Sequence, residues 1–402
     1  MLRALKDAAI LRLWLGQALS AVGDEIYRVG LTWLAVGLIG ADTGYLNAAQ
    51  YAALMILSFI GGKWADHWDP LKTMIRVDLI RALIILIPVV VSFFTQVPFS
   101  LLVVVAIIVS GLGAFFDPAL QTLLPQFCPD MQLLRAATGL MTTTLRMARM
   151  LGPAIVGILA GIVPPIHFFS LDSLSFIFSA ASVRSLGAAA PHAVKKSSRG
   201  TYLQAILSGV HAVQKQKDMG FIIFSKAVTG STWNLVYALG FALRVQSLAP
   251  NSARSFGLVV ASYGIGNFLG ALYFGNLQRL RPALMMFAGY IWLGIGFVCI
   301  ANCENIYTIM IATAITAFSG TMNEVTFSDM IQARFPIDEI SRVFRLRIVT
   351  DTMATLLLML FSPLIFRLLS VQVVFALAGS IWILIGATGL IKFRHNFKFS
   401  AS

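Results

Sequence analysis

Residues 98–140 read PFSLLVVVAIIVSGLGAFFDPALQTLLPQFCPDMQLLRAATGL. The first part is an apolar run long enough to cross a bilayer, which takes roughly 20 residues of helix. It closes on a proline and an acidic turn, and another stretch of helical character follows at once. Outward from here the same alternation runs to both ends of the chain. Of 402 residues, 58% are hydrophobic and 12% charged, with a mean hydropathy of +0.83. Soluble domains carry about 25% charge, so this chain lacks the material for a water-facing surface. Its solvent is lipid, which excludes a disordered chain and a secreted disulfide scaffold. The three cysteines, Cys128, Cys299 and Cys303, are odd in number and lack metal-ligand spacing, so no metal site is expected.

Apolar segments near 12–39, 44–66, 73–95, 97–125, 133–162, 164–188, 219–247, 252–277, 282–301, 303–334, 339–368 and 370–393 predict twelve transmembrane helices. The first is too long for a signal-peptide core and is kept as a span. The net charge of +13 suggests nucleic acid only until the charges are placed. With both termini inside, 22 of the 30 Lys and Arg fall in inner segments, and only Arg254 and Arg367 fall in outer loops. That bias puts both termini in the cytoplasm and makes the lipid bilayer, not nucleic acid, the partner. The reading is an all-α polytopic membrane protein with an N-terminal six-helix bundle (1–188), a solvated cytoplasmic linker (189–217) and a C-terminal six-helix bundle (218–402).

A repeat supports the two halves. QTLLPQFCPDMQLLRAATGL (121–140) and IQARFPIDEISRVFRL (331–346) each place a Gln four residues before a Pro, at Gln121/Pro125 and Gln332/Pro336, then an acidic turn and an Arg. Parallel repeats of this kind build two pseudo-symmetric bundles around a central site.

Two motifs extend the reading. GGKWADHWDPLKTMIRVDLIRAL (61–83) has a Gly, three residues and an Asp (Gly62, Asp66), then basic residues. It resembles the loop motif of the major facilitator superfamily, with His67 and Asp69 where Arg and Gly are usual. There Asp66 would cap or salt-bridge a helix end as a conformational latch, with Arg76, Asp78 and Arg81 in support. The second-half segment GNFLGALYFGNLQRLRP (266–282) keeps Arg279 and Arg281 but no Asp. LRMARMLGPAIVGILAG (145–161) resembles the superfamily's antiporter motif at Gly152, Pro153, Gly157 and Gly161, which implies export. GAFFDPALQTLLPQF, FPIDEISRVF and LSAVGDEIYRVGLTWLA are similar to the branch that includes macrolide efflux proteins, the enterobactin exporter and a lysophospholipid transporter. The resemblance spans essentially the whole chain.

Ionisable residues inside spans are costly, so each marks a functional candidate. Asp24, Glu25 and Arg28 lie in the first span, Arg146 and Arg149 in the fifth. Three arginines against two acids predict a positive surplus suited to a carboxylate or phosphate. Substrate is assigned on this charge to Arg28, Arg146 and Arg149 and, because the resemblance implies that helices 7 and 10 line the cavity, to Lys226 and Asn234; proton coupling is assigned to Asp24, Glu25 and, on the same resemblance, Glu324. Arg347 and Asp351 read as a structural pair; Arg244 and Asp329 are further intramembrane charges. Tyr27, Trp33 and Trp233 read as packing.

The five histidines are dispersed, so no catalytic constellation forms and an enzyme is not expected. Without a Walker-type loop, the energy source is a proton gradient, not ATP, and no cofactor is expected. The expected function is a proton-coupled, rocker-switch exporter of a small polar or anionic metabolite such as a carboxylate siderophore. Multidrug or macrolide efflux, lysophospholipid flipping and uptake follow as alternatives. The resemblance implies a monomer in a bacterial inner membrane.

Overall fold

A computed structural model describes residues 2–65, 68–128, 130–160, 162–187, 202–216, 218–250, 252–275 and 282–394. Among these there are helices and turns but no strand. One turn, α1 (Leu2–Leu5), precedes α2 (Ala8–Ile39), α3 (Thr43–Ala65), α4 (Pro70–Ser92), α5 (Phe99–Leu123), α6 (Met131–Leu159) and α7 (Phe168–Arg184). Then come α8 (Tyr202–Lys215), α9 (Met219–Asn234), α10 (Phe241–Leu248), α11 (Ala253–Gly275) and α12 (Pro282–Ala301). The chain continues through α13 (Ile306–Ala317), α14 (Gly320–Arg334), α15 (Ile337–Leu368) and α16 (Val371–Phe393).

Helix starts follow local chemistry. Asp69 caps α4 by accepting from the backbone N–H of Leu71 at 3.0 Å, with Pro70 in the first turn. Capping was expected of Asp66, which lies outside the described residues. Asp130 caps α6 through Leu133 N at 2.6 Å and also holds Arg3 at 2.9 Å. Asn305 caps α13 through Thr308 N at 2.9 Å.

Seven helical stretches among the described residues are long and apolar enough to cross a membrane: Ala8–Ser58, Phe99–Phe127, Pro165–Arg184, Ala253–Phe274, Pro282–Ala301, Arg342–Leu368 and Val371–Phe393. Helices α4, α6, α9 and α14 fall outside this set: α4 and α6 carry ionisable residues that lower their apolarity, and α9 and α14 are short, at 16 and 15 residues. Exposed Leu83, Phe94, Ile162 and Ile391 are the side chains expected of a lipid-facing surface.

The helices form two compact units, Met1–Leu38 with Ala49–Arg199, and Ile39–Ala48 with Gly200–Ser402. In the first, α2 carries a glycine every seventh residue, at Gly16, Gly23 and Gly30. Opposite them, α7 places Ser182, Ser175 with Asp172, and Phe168. A Cβ at Gly16 would lie 2.8 Å from Ser182 Cβ, and at Gly30 2.9 Å from the Phe168 ring. Close contact through small residues is how helices associate where lipid removes the hydrophobic drive. Below this seam Ile10, Leu13, Met74, Val77, Phe116 and Leu123 form an apolar cluster.

The second unit uses the same device. Gly294 of α12 and Gly379 of α16 cross backbone to backbone, and Gly266 and Gly270 of α11 lie on the carbonyls of Ala314 and Phe318. The Ile39–Ala48 corner belongs to this unit, where Arg367 Nη2 donates to both oxygens of Asp42 at 2.7 and 2.8 Å. Gly44 packs there against Ser362.

The structure adds detail to three stretches read from the sequence. The stretch 303–334 is two helices, broken at Phe318–Ser319, where Ser319 Oγ donates to Thr316 O at 3.3 Å and Gly320 follows; Ser–Gly pairs are common kink sites. The stretch 219–247 winds as a π-helix over Leu235–Gly240. The segment 189–217, read as a solvated linker, contains helix α8 (Tyr202–Lys215), an addition to that reading. Its basic residues masked an apolar stripe, Ile206, Val210 and Val213, and Gly209 packs on the Arg342 carbonyl of α15.

Candidate functional site

Adjacent positions on a helix point about 100° apart, so Asp24 and Glu25 look to different sides of α2. Glu25 faces α6. Its buried carboxylate accepts from Arg28 Nε at 3.0 Å and from Arg28 Nη2, while Arg149 Nε stands 3.8 Å from Oε1. Gly152 makes this approach possible, because any Cβ there would strike the Glu25 side chain. The antiporter-motif glycine thus has a steric reason in the charge site. Both arginine side chains remain open, Arg28 at 42% and Arg149 at 65% exposure, against 10% for Glu25. Tyr51 of α3 lies within electrostatic range of both.

Asp24 faces the other way and is exposed. Arg81 of α4 and Asp117 of α5 are in electrostatic range of it. Arg81 is buried between the rings of Phe116 and Phe176, 5.5 and 5.3 Å from their centroids, and a Cβ at Gly113 would lie 2.8 Å from its Nη2. Asp78 and Asp172 complete this side, both fully buried.

The expected positive surplus rests on Arg28, Arg146 and Arg149 against Asp24 and Glu25, and the Arg146 side chain lies outside the described residues. That expectation counted only α2 and α6, whereas packing adds Asp78, Arg81, Asp117 and Asp172. Around Glu25 two guanidiniums meet one acid; around Arg81 four acids meet one guanidinium. Among the described residues, then, guanidiniums gather about Glu25 and acids about Arg81, and Asp24 is in electrostatic range of both Arg28 and Arg81.

In the second unit Glu324 of α14 pairs with Lys226 of α9 and, at 3.1 Å, with Arg347 of α15; Arg347 Nε also donates to Asp351 at 3.2 Å. Arg347, expected to serve only Asp351, is thus shared. Lys226 and Arg347 both lie over the Phe327 ring, at 6.0 and 4.8 Å. Two cations and two anions make this quartet neutral. Asn234 is two turns from Lys226 and donates to Gly230 O at 3.0 Å and Thr355 Oγ1 at 3.5 Å. Next to it Trp233 stacks on Tyr237 at 4.4 Å and donates to Tyr263 Oη at 3.0 Å. Arg244 Nη2 donates to the Cys303 carbonyl at 2.5 Å, a structural tie.

Asp66 and Gly161 lie outside the described residues, as do the side chains of Arg146 and Pro153. Gly62 stands near the end of α3, Gly157 is buried in α6, and Arg76 is exposed on α4. Arg81 and Asp78, expected to support a latch at Asp66, are in electrostatic range of each other and of Asp24. Asp117 and Asp172 were missed in the sequence, although the rule that flagged Asp24 applies equally to the Asp in FFSLDSLS of α7 and in GAFFDPAL of α5. Outside the spans, burial together with nearby Asp7 and Asp130 pushes the Cys128 thiol up, away from the thiolate.

The sequence pattern of the transmembrane secretion effector family matches residues 2–337. The multidrug efflux pump Tap of Mycolicibacterium fortuitum is 26% identical, over 74% of this chain and 75% of its own. Macrolide efflux protein A of Streptococcus pyogenes is 21% identical over 93% of each chain. The staphyloferrin A transporter of Staphylococcus aureus is 19% identical over 77% of this chain and 79% of its own. In fold, the chain is similar to a bacterial homologue of the iron transporter ferroportin in an inward-facing state, with TM-score 0.75, 14% identity and coverage of 96% and 99%. Helices, intramembrane charge and family pattern agree: the chain is a multi-pass membrane transporter, not an enzyme, and belongs to the transmembrane secretion effector family of the major facilitator superfamily.

Proposed function

We propose that this chain is a twelve-span, proton-driven exporter of a small anionic metabolite, with both termini in the cytoplasm. The charge-bearing helices α4 and α6, and the broken helices α9 with α10 and α13 with α14, supply the four further spans. The observation that carries the reading is the exposed pair Arg28 and Arg149 about buried Glu25. An arginine opposite lipid at the span centre costs about 2.5–3.5 kcal/mol on insertion scales, so these guanidiniums face water or solute. Their planar forks suit a carboxylate. Asp24, which makes no ion pair among the described residues, is the carboxylate assigned to the proton; Glu25 and Glu324 are each engaged by two cations. Export is supported by the antiporter-motif glycines and by relatives named as efflux pumps. A carboxylate siderophore fits the charge, and one relative is a staphyloferrin A transporter.

A second reading, efflux of cationic amphiphilic drugs, is favoured by the exposed acids Asp24 and Asp117. A strain lacking the protein, grown with limiting iron, separates the two. Mass spectrometry of medium and cells should find a carboxylate chelator lost outside and accumulated inside. An unchanged profile with raised macrolide susceptibility would favour the second reading and overturn the first.

A further inference from the structure

The four charges of the second unit balance in sign but not in burial. Glu324 is 44% exposed, whereas the two cations it holds are enclosed, Lys226 at 9% and Arg347 at 20%. Lys226 Nζ donates to Glu324 Oε1, and Arg347 Nη2 donates to Oε2 at 3.1 Å, with a longer contact to Oε1 at 3.5 Å. Each carboxylate oxygen thus meets its own cation. An exposed charge exchanges its partner for water at little cost, and a buried one does not. Glu324 is therefore the member of the group that can leave.

The cations keep their places without it. Arg347 Nε donates to Asp351 Oδ2 at 3.2 Å, one turn along α15. The ring of Phe327, itself fully buried, lies 6.0 Å from Lys226 Nζ and 4.8 Å from Arg347 Cζ. The first turn of α14 is also fixed, because Thr321 Oγ1 donates to Asn267 O at 3.0 Å and to Asn267 Oδ1 at 2.8 Å. Departure of Glu324 then takes only a rotation of its side chain, and it leaves Lys226 and Arg347 with Asp351 as their acid. Two enclosed cations against one carboxylate leave a positive charge uncompensated, which an enclosed site does not keep.

We infer that Lys226 and Arg347 form a carboxylate-binding fork, filled by Glu324 in the resting chain, and that a carboxylate ligand enters by taking the place of Glu324. The Glu324 carboxylate shows the shape that fits: a planar anion with one oxygen toward Lys226 Nζ and the other toward Arg347 Nη2. The fork lies in the second unit and shares no residue with the arginines about Glu25. Its use in transport rests on the anion-export reading above; its capacity to bind a carboxylate does not.

Acetate, the head group of Glu324 without its stem, is the probe. The readout is the unfolding temperature of the full chain in neutral detergent, with sodium chloride at equal ionic strength as the reference. Glu324→Ala vacates the fork, so acetate should raise its unfolding temperature. Half-saturation should come about ten- to a hundredfold below that of wild type, the factor that one charge-assisted hydrogen bond supplies. Wild type should respond at the higher concentration, because there acetate competes with Glu324. Lys226→Met or Arg347→Met added to Glu324→Ala should abolish the response. Glu324→Gln fills the space with a neutral amide and should fall between the two; being near-isosteric, it carries the test if Glu324→Ala does not fold. An equal response in wild type and both Glu324 variants, or one that survives Arg347→Met, would place the anion elsewhere and overturn the fork. A response absent from wild type at every concentration would make Glu324 a fixed partner and overturn the exchange. If acetate behaves as expected while the strain lacking the protein keeps its metabolite profile, the export reading falls and the fork stands. If a carboxylate is exported while acetate acts equally on all variants, the fork alone falls.

Discussion

Glu25 and Arg149 carry most of the argument at the scale of single residues. A charge-assisted hydrogen bond contributes about 1.5–3 kcal/mol, equivalent to about ten- to a hundredfold in affinity. Arg149→Ala should therefore weaken substrate binding by about that factor, read as a rise in the half-saturating concentration in proteoliposomes, with little change in thermal stability. Glu25→Gln removes the acid between two guanidiniums and should abolish transport while the protein stays monodisperse in detergent. Unchanged transport in both variants would return the Glu25 group to a purely structural role. Gly152 is a third residue of this kind. Gly152→Val would drive a side chain into Glu25, and overpacking costs about 1–3 kcal/mol. A lowered melting temperature together with lost transport is the expected result.

Among the helices, α2 is the one whose packing organises the first unit. Its seven-residue glycine repeat sets the approach of α7, and a test within the helix separates seam from propensity. Gly23→Val meets Ser175 and Asp172, whereas Gly37, with no atom within 4 Å of a Cβ, is open. Gly23→Val should destabilise by about 1–3 kcal/mol, while Gly37→Ala should be neutral or stabilising by about 0.5–1 kcal/mol, since glycine within a helix is unfavourable relative to alanine. Thermal unfolding of the two variants side by side decides this. Helix α8 shows how charge can hide such a face: its lysine and neighbouring basic residues read as a linker, yet its buried stripe rests on α15. The break between α13 and α14 was similarly illegible, because a Ser–Gly pair bends some helices and not others, and the backbone at Phe318 and Gly320 is set by contacts with α11 and α12.

For the molecule as a whole, the energy source is the testable quantity. Uptake of substrate into inside-out vesicles should require an imposed proton gradient, collapse with a protonophore and ignore ATP. ATP-dependent uptake that survives the protonophore would contradict the proposed coupling. The ion pair of Asp42 and Arg367 is exposed, and such pairs contribute about 0–1 kcal/mol. Asp42→Asn should accordingly leave the melting temperature nearly unchanged, so any effect of that variant on transport rate would be kinetic.

By itself the sequence determined the solvent, because 58% hydrophobic and 12% charged residues admit only lipid. It also determined the family, because Gly62, Gly152 and the 113–127 stretch are local patterns that need no neighbour to be recognised. Asp24, Glu25, Arg149, Lys226 and Glu324 were legible for the same reason: a charge inside an apolar run is visible in one dimension. Only the tertiary structure decided which charges meet. Asp24, Arg81, Asp117 and Asp172 come from four helices, and their grouping depends on how Gly23 and Gly113 let those helices close. Packing of α4, α5 and α7 around α2 adds Asp78, Arg81, Asp117 and Asp172 to the charges near Asp24, which a reading of α2 and α6 alone does not include. Electrostatic energy depends on distance in space, and distance in sequence does not determine it across a helix interface.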